Sequence, residues 1–185
     1  MLKKLLCVTA IIALCYTLSG CAVYNAAVDE RNIGEQYSDT VITATVIKKL
    51  VRSDEVNALD ISVNTYNRKV YVIGEVDSLA QRNVVTSIAR NVEGVTSVVP
   101  YLLLKNDQDF CGTTDNLAMS AQLSKDLIAD KDVWSTNVSI DVVQCNIVLT
   151  GIVTSNKEKQ KILEHARAVP KVRSVTSYIQ VHVPS

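Results

Sequence analysis

Hydrophobic positions run through this chain in the same order twice. Helical spacing comes first, with Ile42, Val46 and Leu50 in one segment and Met119, Leu123 and Leu127 in the other, each at i, i+4, i+8. Two short alternating runs follow, Ile61 to Thr65 with Lys69 to Gly74, and Val138 to Val142 with Ile147 to Gly151, each pair reading as a β-hairpin. Beyond the glycine, Asp77-Ser78 and Thr154-Ser155 are placed to cap a second helix, whose stripe is Val85, Ala89 and Val92 or Ile162, Ala166 and Val169. A last β-rich run, Thr96 to Lys105 or Arg173 to Val183, closes each segment.

The two segments superpose without a gap at the offset between Gly74 and Gly151, from about residue 39 to 105 and from 116 to 182. Val63 falls on Ile140, Val70 on Ile147, Val72 on Leu149, Ala89 on Ala166 and Val98 on Val175. Such agreement in phase is the mark of a duplicated module. The expected fold is α+β: two tandem α-β-β-α-β units, each a three-stranded sheet covered by two helices, over 39–105 and 115–185, with 106–114 as a polar linker. Tyr71, Ile73, Tyr101 and Leu103 alternate with the core-facing strand positions and need cover, which the other unit would supply.

The N-terminus carries a different pattern. Lys3 and Lys4 precede an apolar stretch from Leu5 to Leu18, which is the plan of a secretory signal and too short to span a bilayer. It ends in Leu18-Ser19-Gly20-Cys21, which resembles the lipobox of bacterial lipoproteins. That resemblance implies a signal peptide over 1–20, diacylglyceryl attachment at Cys21, and an acylated tether over 21–38. Ala22, where an aspartate would favour retention at the inner membrane, implies sorting to the outer membrane, facing the periplasm.

Composition narrows the chemistry. The chain has 19 Lys+Arg and 19 Asp+Glu, and loss of Lys3 and Lys4 with the leader leaves the mature protein slightly acidic, so no nucleic acid is expected as a partner. Of five cysteines only Cys111 and Cys145 lie in the folded part. An oxidising compartment permits them to pair, and the sequence leaves a disulfide and two free thiols equally open. They match no C-x-x-C spacing, and His165 and His182 have no cysteine nearby, so neither metal nor cofactor is expected. Both histidines read as surface residues. No G-x-G-x-x-G, P-loop or nucleophile motif is present, and the chain reads as a binding protein rather than an enzyme.

The duplicated unit, with a glycine closing each hairpin and the turn Val92-Glu93-Gly94-Val95 before the last strand, resembles the BON domain of bacterial envelope proteins. With the lipobox and the stretch Asp29 to Gln36, nearly the whole chain is similar to dual-BON outer-membrane lipoproteins. This implies structural roles for Gly74, Gly94 and Gly151. It also implies a non-enzymatic role in envelope integrity, with outer-membrane lipid (through the anchor), anionic phospholipids and envelope proteins as partners. The second unit reads Val169-Pro170-Lys171-Val172 where the first has its turn glycine, so a different turn geometry is expected there.

Lipid contact in such proteins is implied chiefly for the first helix of the second unit, yet here Leu117 to Asp126 lacks the aromatic and most of the basic residues that helix carries in the family. The candidate membrane-binding residues are therefore Trp134 and Lys125, with the basic run Lys157, Lys159, Lys161, Arg167, Lys171 and Arg173. Trp134 packed on the core, and the lysines as a solvated helix surface, are the competing readings. A soluble periplasmic protein of the osmotic-stress BON kind is the alternative to the anchored one.

Overall fold

The computed structural model describes residues 33–105 and 111–182. The leader, Cys21 and the first part of the tether lie outside these residues, as do 106–110 of the linker. The first unit runs α1 (Ile33–Val51), β1 (Ile61–Tyr66), β2 (Lys69–Val76), α2 (Leu79–Arg90) and β3 (Ser97–Leu104). The second runs α3 (Thr113–Ala129), β4 (Val138–Val143), β5 (Asn146–Val153), α4 (Asn156–Ala168), β6 (Ser174–Ser177) and β7 (Gln180–Val181). In each sheet the middle strand pairs antiparallel with its hairpin partner and parallel with the strand that follows the second helix.

The helical stripes are the cores. Ile42, Val46 and Leu50 pack with Val70, Val72, Val85 and Ala89 in one unit; Met119, Leu123 and Leu127 pack with Ile147, Leu149, Ile162 and Ala166 in the other. The second helix of each unit starts at a serine whose Oγ accepts from a backbone N–H three residues on: Ser78 from Gln81 and Ser155 from Glu158, both at 3.1 Å.

Each hairpin turns on two residues with positive φ, Asn67 and Arg68 (52° and 62°) or Gln144 and Cys145 (50° and 57°), which matches the turn to the right-handed strand twist. One helix side chain steadies each turn. Asp39 of α1 accepts from the N–H groups of Asn67 (2.8 Å) and Arg68 (2.7 Å), and Asn116 of α3 accepts from that of Cys145 (3.0 Å). Asp39 and Asn116 occupy the same position of the repeat. Cys111 and Cys145 are joined as a disulfide with a Cα–Cα distance of 5.7 Å, tying the start of α3 to its hairpin.

Gly74 and Gly151, with φ of 152° and 153°, bring the backbone so close to the carbonyl oxygens of Asp60 and Asn137 that a Cβ has no room. At the turn before the last strand, Gly94 has φ 88° and Lys171 has φ 66°. The expectation of a different turn in the second unit is therefore corrected: the geometry is kept, and the lysine takes the left-handed conformation. The last strand of that unit also departs from an unbroken strand. Leu149 faces Ser177 and Ile152 faces Gln180 in one register, but the strand is interrupted between β6 and β7. There Ile179 turns into the core, 3% exposed, while its carbonyl accepts from Lys159 Nζ at 2.7 Å.

The two units pack against each other through the sheet faces turned away from their helices. Tyr71, Ile73, Val143 and Val148 are buried in this seam, with Tyr66, Val99, Tyr101, Leu103 and Tyr178 half-buried around them. The Tyr71 ring lies between those of Tyr66 and Tyr178, with centroids at 6.3 Å and 5.4 Å. Polar contacts cross the seam from Asn64 Nδ2 to Asp141 Oδ2 (2.8 Å), between the hydroxyls of Tyr66 and Ser139 (2.8 Å), and from Gln144 Nε2 to Glu75 Oε1 (2.8 Å). Asn64 and Asp141 are the same position of the repeat, as are Tyr101 and Tyr178, so equivalent surfaces meet.

Candidate functional site

Trp134 stands at the entry to a 3-10 turn, Ser135–Asn137, that leads into β4. Its neighbour Val133 is buried in the core, while Trp134 itself is 49% exposed. The loop is pinned beneath it. Glu158, buried at the start of α4, accepts from the Trp134 N–H (2.9 Å) through one oxygen and from the Thr154 N–H and hydroxyl (3.1 and 3.0 Å) through the other. These fixed points hold the backbone and leave much of the indole facing solvent.

The basic run does not gather into one cationic surface. Lys161 bridges Asp130 (3.1 Å) and Asp132 (2.7 Å), Lys157 reaches Asp132 (3.5 Å), and Lys171 pairs with Asp115 (2.8 Å). His165 Nε2 lies 3.0 Å from Asp130 Oδ2, so it serves a loop contact. His165, the Asp132 N–H and Lys161 hold the Asp130 carboxyl well below the usual carboxylate range. Asp132 is lowered by Lys161 and Lys157, and the Lys161 ammonium is pushed up by the same two aspartates. Lys159 donates to the Ile179 carbonyl, and Arg173 Nη1 donates to that of Gln144 at 3.3 Å. Lys125 and Arg167 are exposed, as is His182.

A cleft of about 500 Å³ opens between the units beside the seam, with Leu59, Ser62, Glu75, Leu117, Ile140 and Asp141 on its walls. Burial pushes the Asp141 carboxyl up, against the hydrogen bonds from Ser62 and Asn64. Among the described residues no group of three His, Cys, Asp or Glu side chains is placed to hold a metal ion. None of the described helices is long and apolar enough to cross a membrane.

The sequence carries the paired roles of Asp39 and Asn116 only as two hydrogen-bonding side chains in phase at the repeat offset. The outer face of α1 has no motif of its own, and its exposure is a property of the fold.

A duplicated α+β module with its two copies seated face to face defines a class of tandem-domain proteins. The chain belongs to the BON domain family, which matches residues 38–106 and 115–182. It is 32% identical to Osmotically-inducible protein Y of Escherichia coli (strain K12) over 145 residues, 77% of this chain and 72% of that protein. It is 24% identical to Outer membrane lipoprotein DolP of Haemophilus influenzae over 176 residues, 94% of this chain and 89% of that one. Over 67 residues, 36% of this chain and 34% of the other, it is 37% identical to a 21 kDa hemolysin of Actinobacillus pleuropneumoniae.

Proposed function

We propose that this chain is a non-enzymatic outer-membrane lipoprotein, anchored through Cys21, facing the periplasm, and supporting envelope integrity by binding anionic phospholipid and envelope proteins through its BON units. The observation that carries this reading is the join of Leu18-Ser19-Gly20-Cys21 to two BON units in one chain, supported by similarity along 94% of this chain to a relative named as an outer-membrane lipoprotein. Several acyl chains on one cysteine hold a protein firmly, because burial contributes about 0.8 kcal/mol per methylene. Of the residues put forward for lipid contact, Trp134, Lys125, Lys157, Arg167, Lys171 and Arg173 are exposed, and of these the side chains of Trp134, Lys125 and Arg167 are not engaged by a carboxylate or carbonyl described above. Lys157, Lys161 and Lys171 would first have to leave their carboxylates.

A second reading, a soluble periplasmic protein, is favoured by the higher identity to Osmotically-inducible protein Y. Detergent-phase partitioning separates the two. Wild type enters the detergent phase and Cys21→Ala stays in the aqueous phase if the anchor exists; equal partitioning of both into water selects the soluble reading.

A further inference from the structure

A helix face turned to water is ordinarily polar, but the outer face of α1 is not. At about 100° per residue, Val41, Ala44, Ile47, Lys48, Val51 and Arg52 fall opposite the Ile42–Val46–Leu50 stripe, and all six are exposed. Val41, Ile47 and Val51 are 47%, 43% and 66% exposed, so each of these β-branched side chains turns about half of its surface or more to solvent. Thr40 shares this arc, and the charged members are two cations, Lys48 and, one residue past the end of the helix, Arg52. Asp39 is buried on the opposite side against the hairpin turn, Glu93 borders the row where it shares a groove with Val41, and the exposed Asp54 and Glu55 follow Arg52 in the chain. In the second unit the corresponding face of α3 carries Lys125 but Ala129 in place of Arg52, with Asp126 beside it.

We infer that the outer face of α1 is a membrane-contact surface: Val41, Ile47 and Val51 enter the headgroup boundary of a bilayer while Lys48 and Arg52 meet anionic phospholipid headgroups. This rests on the lipid-binding reading and places its contact on residues outside the sequence-derived set. A mainly apolar row that ends in two cations is complementary to an anionic lipid surface. Position favours the same occupant. Ile33, where α1 begins, follows Cys21 by 12 residues, a length that spans at most about 43 Å when fully extended. An acyl anchor at Cys21 would therefore keep α1 near the bilayer and raise its effective concentration there.

The test uses the chain from Ala22 onward, which retains every described residue but no acyl group, with vesicles of phosphatidylcholine alone or mixed with phosphatidylglycerol. The expected result is binding to the mixed vesicles that falls at least about tenfold in both Val41→Ser/Ile47→Ser/Val51→Ser and Lys48→Glu/Arg52→Glu, and falls less in Trp134→Ser/Lys125→Glu. Melting curves confirm that the exposed substitutions leave the fold intact. Trp134 is the one tryptophan of the chain, so Val51→Trp in a Trp134→Phe background gives a reporter on α1, whose emission should shift to the blue with mixed vesicles. Wild-type binding that both α1 variants retain, or an unshifted reporter on bound protein, overturns the assignment to α1 and leaves the lipid-binding reading standing. Absence of wild-type binding to either vesicle overturns both.

Discussion

Replacing Tyr71 with alanine tests whether the two units fold as one body. Tyr71 sits on the outer side of β2, 1% exposed, and its ring touches Tyr66 of its own unit and Tyr178 of the other. Its hydroxyl accepts from Gln180 Nε2 at 3.2 Å. Removing a buried aromatic ring costs about 3–5 kcal/mol, from lost transfer energy and the cavity left behind. The hydroxyl's share is separable, because Tyr71→Phe keeps the ring and should lose only about 0.5–1.5 kcal/mol. The assay is urea unfolding followed by circular dichroism and by Trp134 fluorescence, which reports on the second unit. Wild type should give coincident transitions by both probes. Tyr71→Ala should lose roughly 3–5 kcal/mol and the two transitions should separate, since the seam is weakened while both cores are untouched. A loss below about 1 kcal/mol, the size of a typical surface change, would refute the seam as a source of stability.

Other consequences follow from single residues. The disulfide between Cys111 and Cys145 closes a loop with a sequence separation of 34, so reduction should destabilise the second unit by about 3–4 kcal/mol in the chain-entropy account, visible as a lower melting temperature with dithiothreitol. Asp141 has its pKa raised by burial in the folded protein, so the fold binds that proton more tightly than the unfolded chain does. Its contribution to stability is therefore present below the ordinary aspartate value of 3.8 and is lost as pH rises through the folded value. Asp141→Asn should accordingly melt higher than wild type at pH 7, with the difference disappearing in acid. Thr150 Oγ1 is buried with no hydrogen-bond partner among the described residues, so Thr150→Val should raise stability by about 1–3 kcal/mol in the same urea assay, and a loss would contradict the burial argument.

Much of the architecture was legible because burial writes periodicity into sequence. Ile42, Val46 and Leu50 could be placed on a core from spacing alone. Tyr71, Ile73, Tyr101 and Leu103 announced a second buried face, because a strand with apolar residues on both sides must be covered twice. Backbone conformation was less readable: Lys171 adopts the left-handed region that glycine takes in the first unit, and no property of a lysine signals it. Partnering was the least readable. Lys157, Lys161 and Lys171 look like free charge in a list of residues, yet Asp130, Asp132 and Asp115 reach them from loops and helices distant in sequence. The apolar outer face of α1 required fractional exposure, since Val41, Ile47 and Val51 could equally have met another element.

Whether the folded units bind membrane themselves, apart from any acyl chain, is tested most directly by floating the chain from Ala22 onward with anionic and neutral vesicles across a salt series. Flotation with anionic vesicles alone, progressively released as salt screens the contact, is the result expected. Protein that stays at the bottom of the gradient with both vesicles at low salt would contradict it.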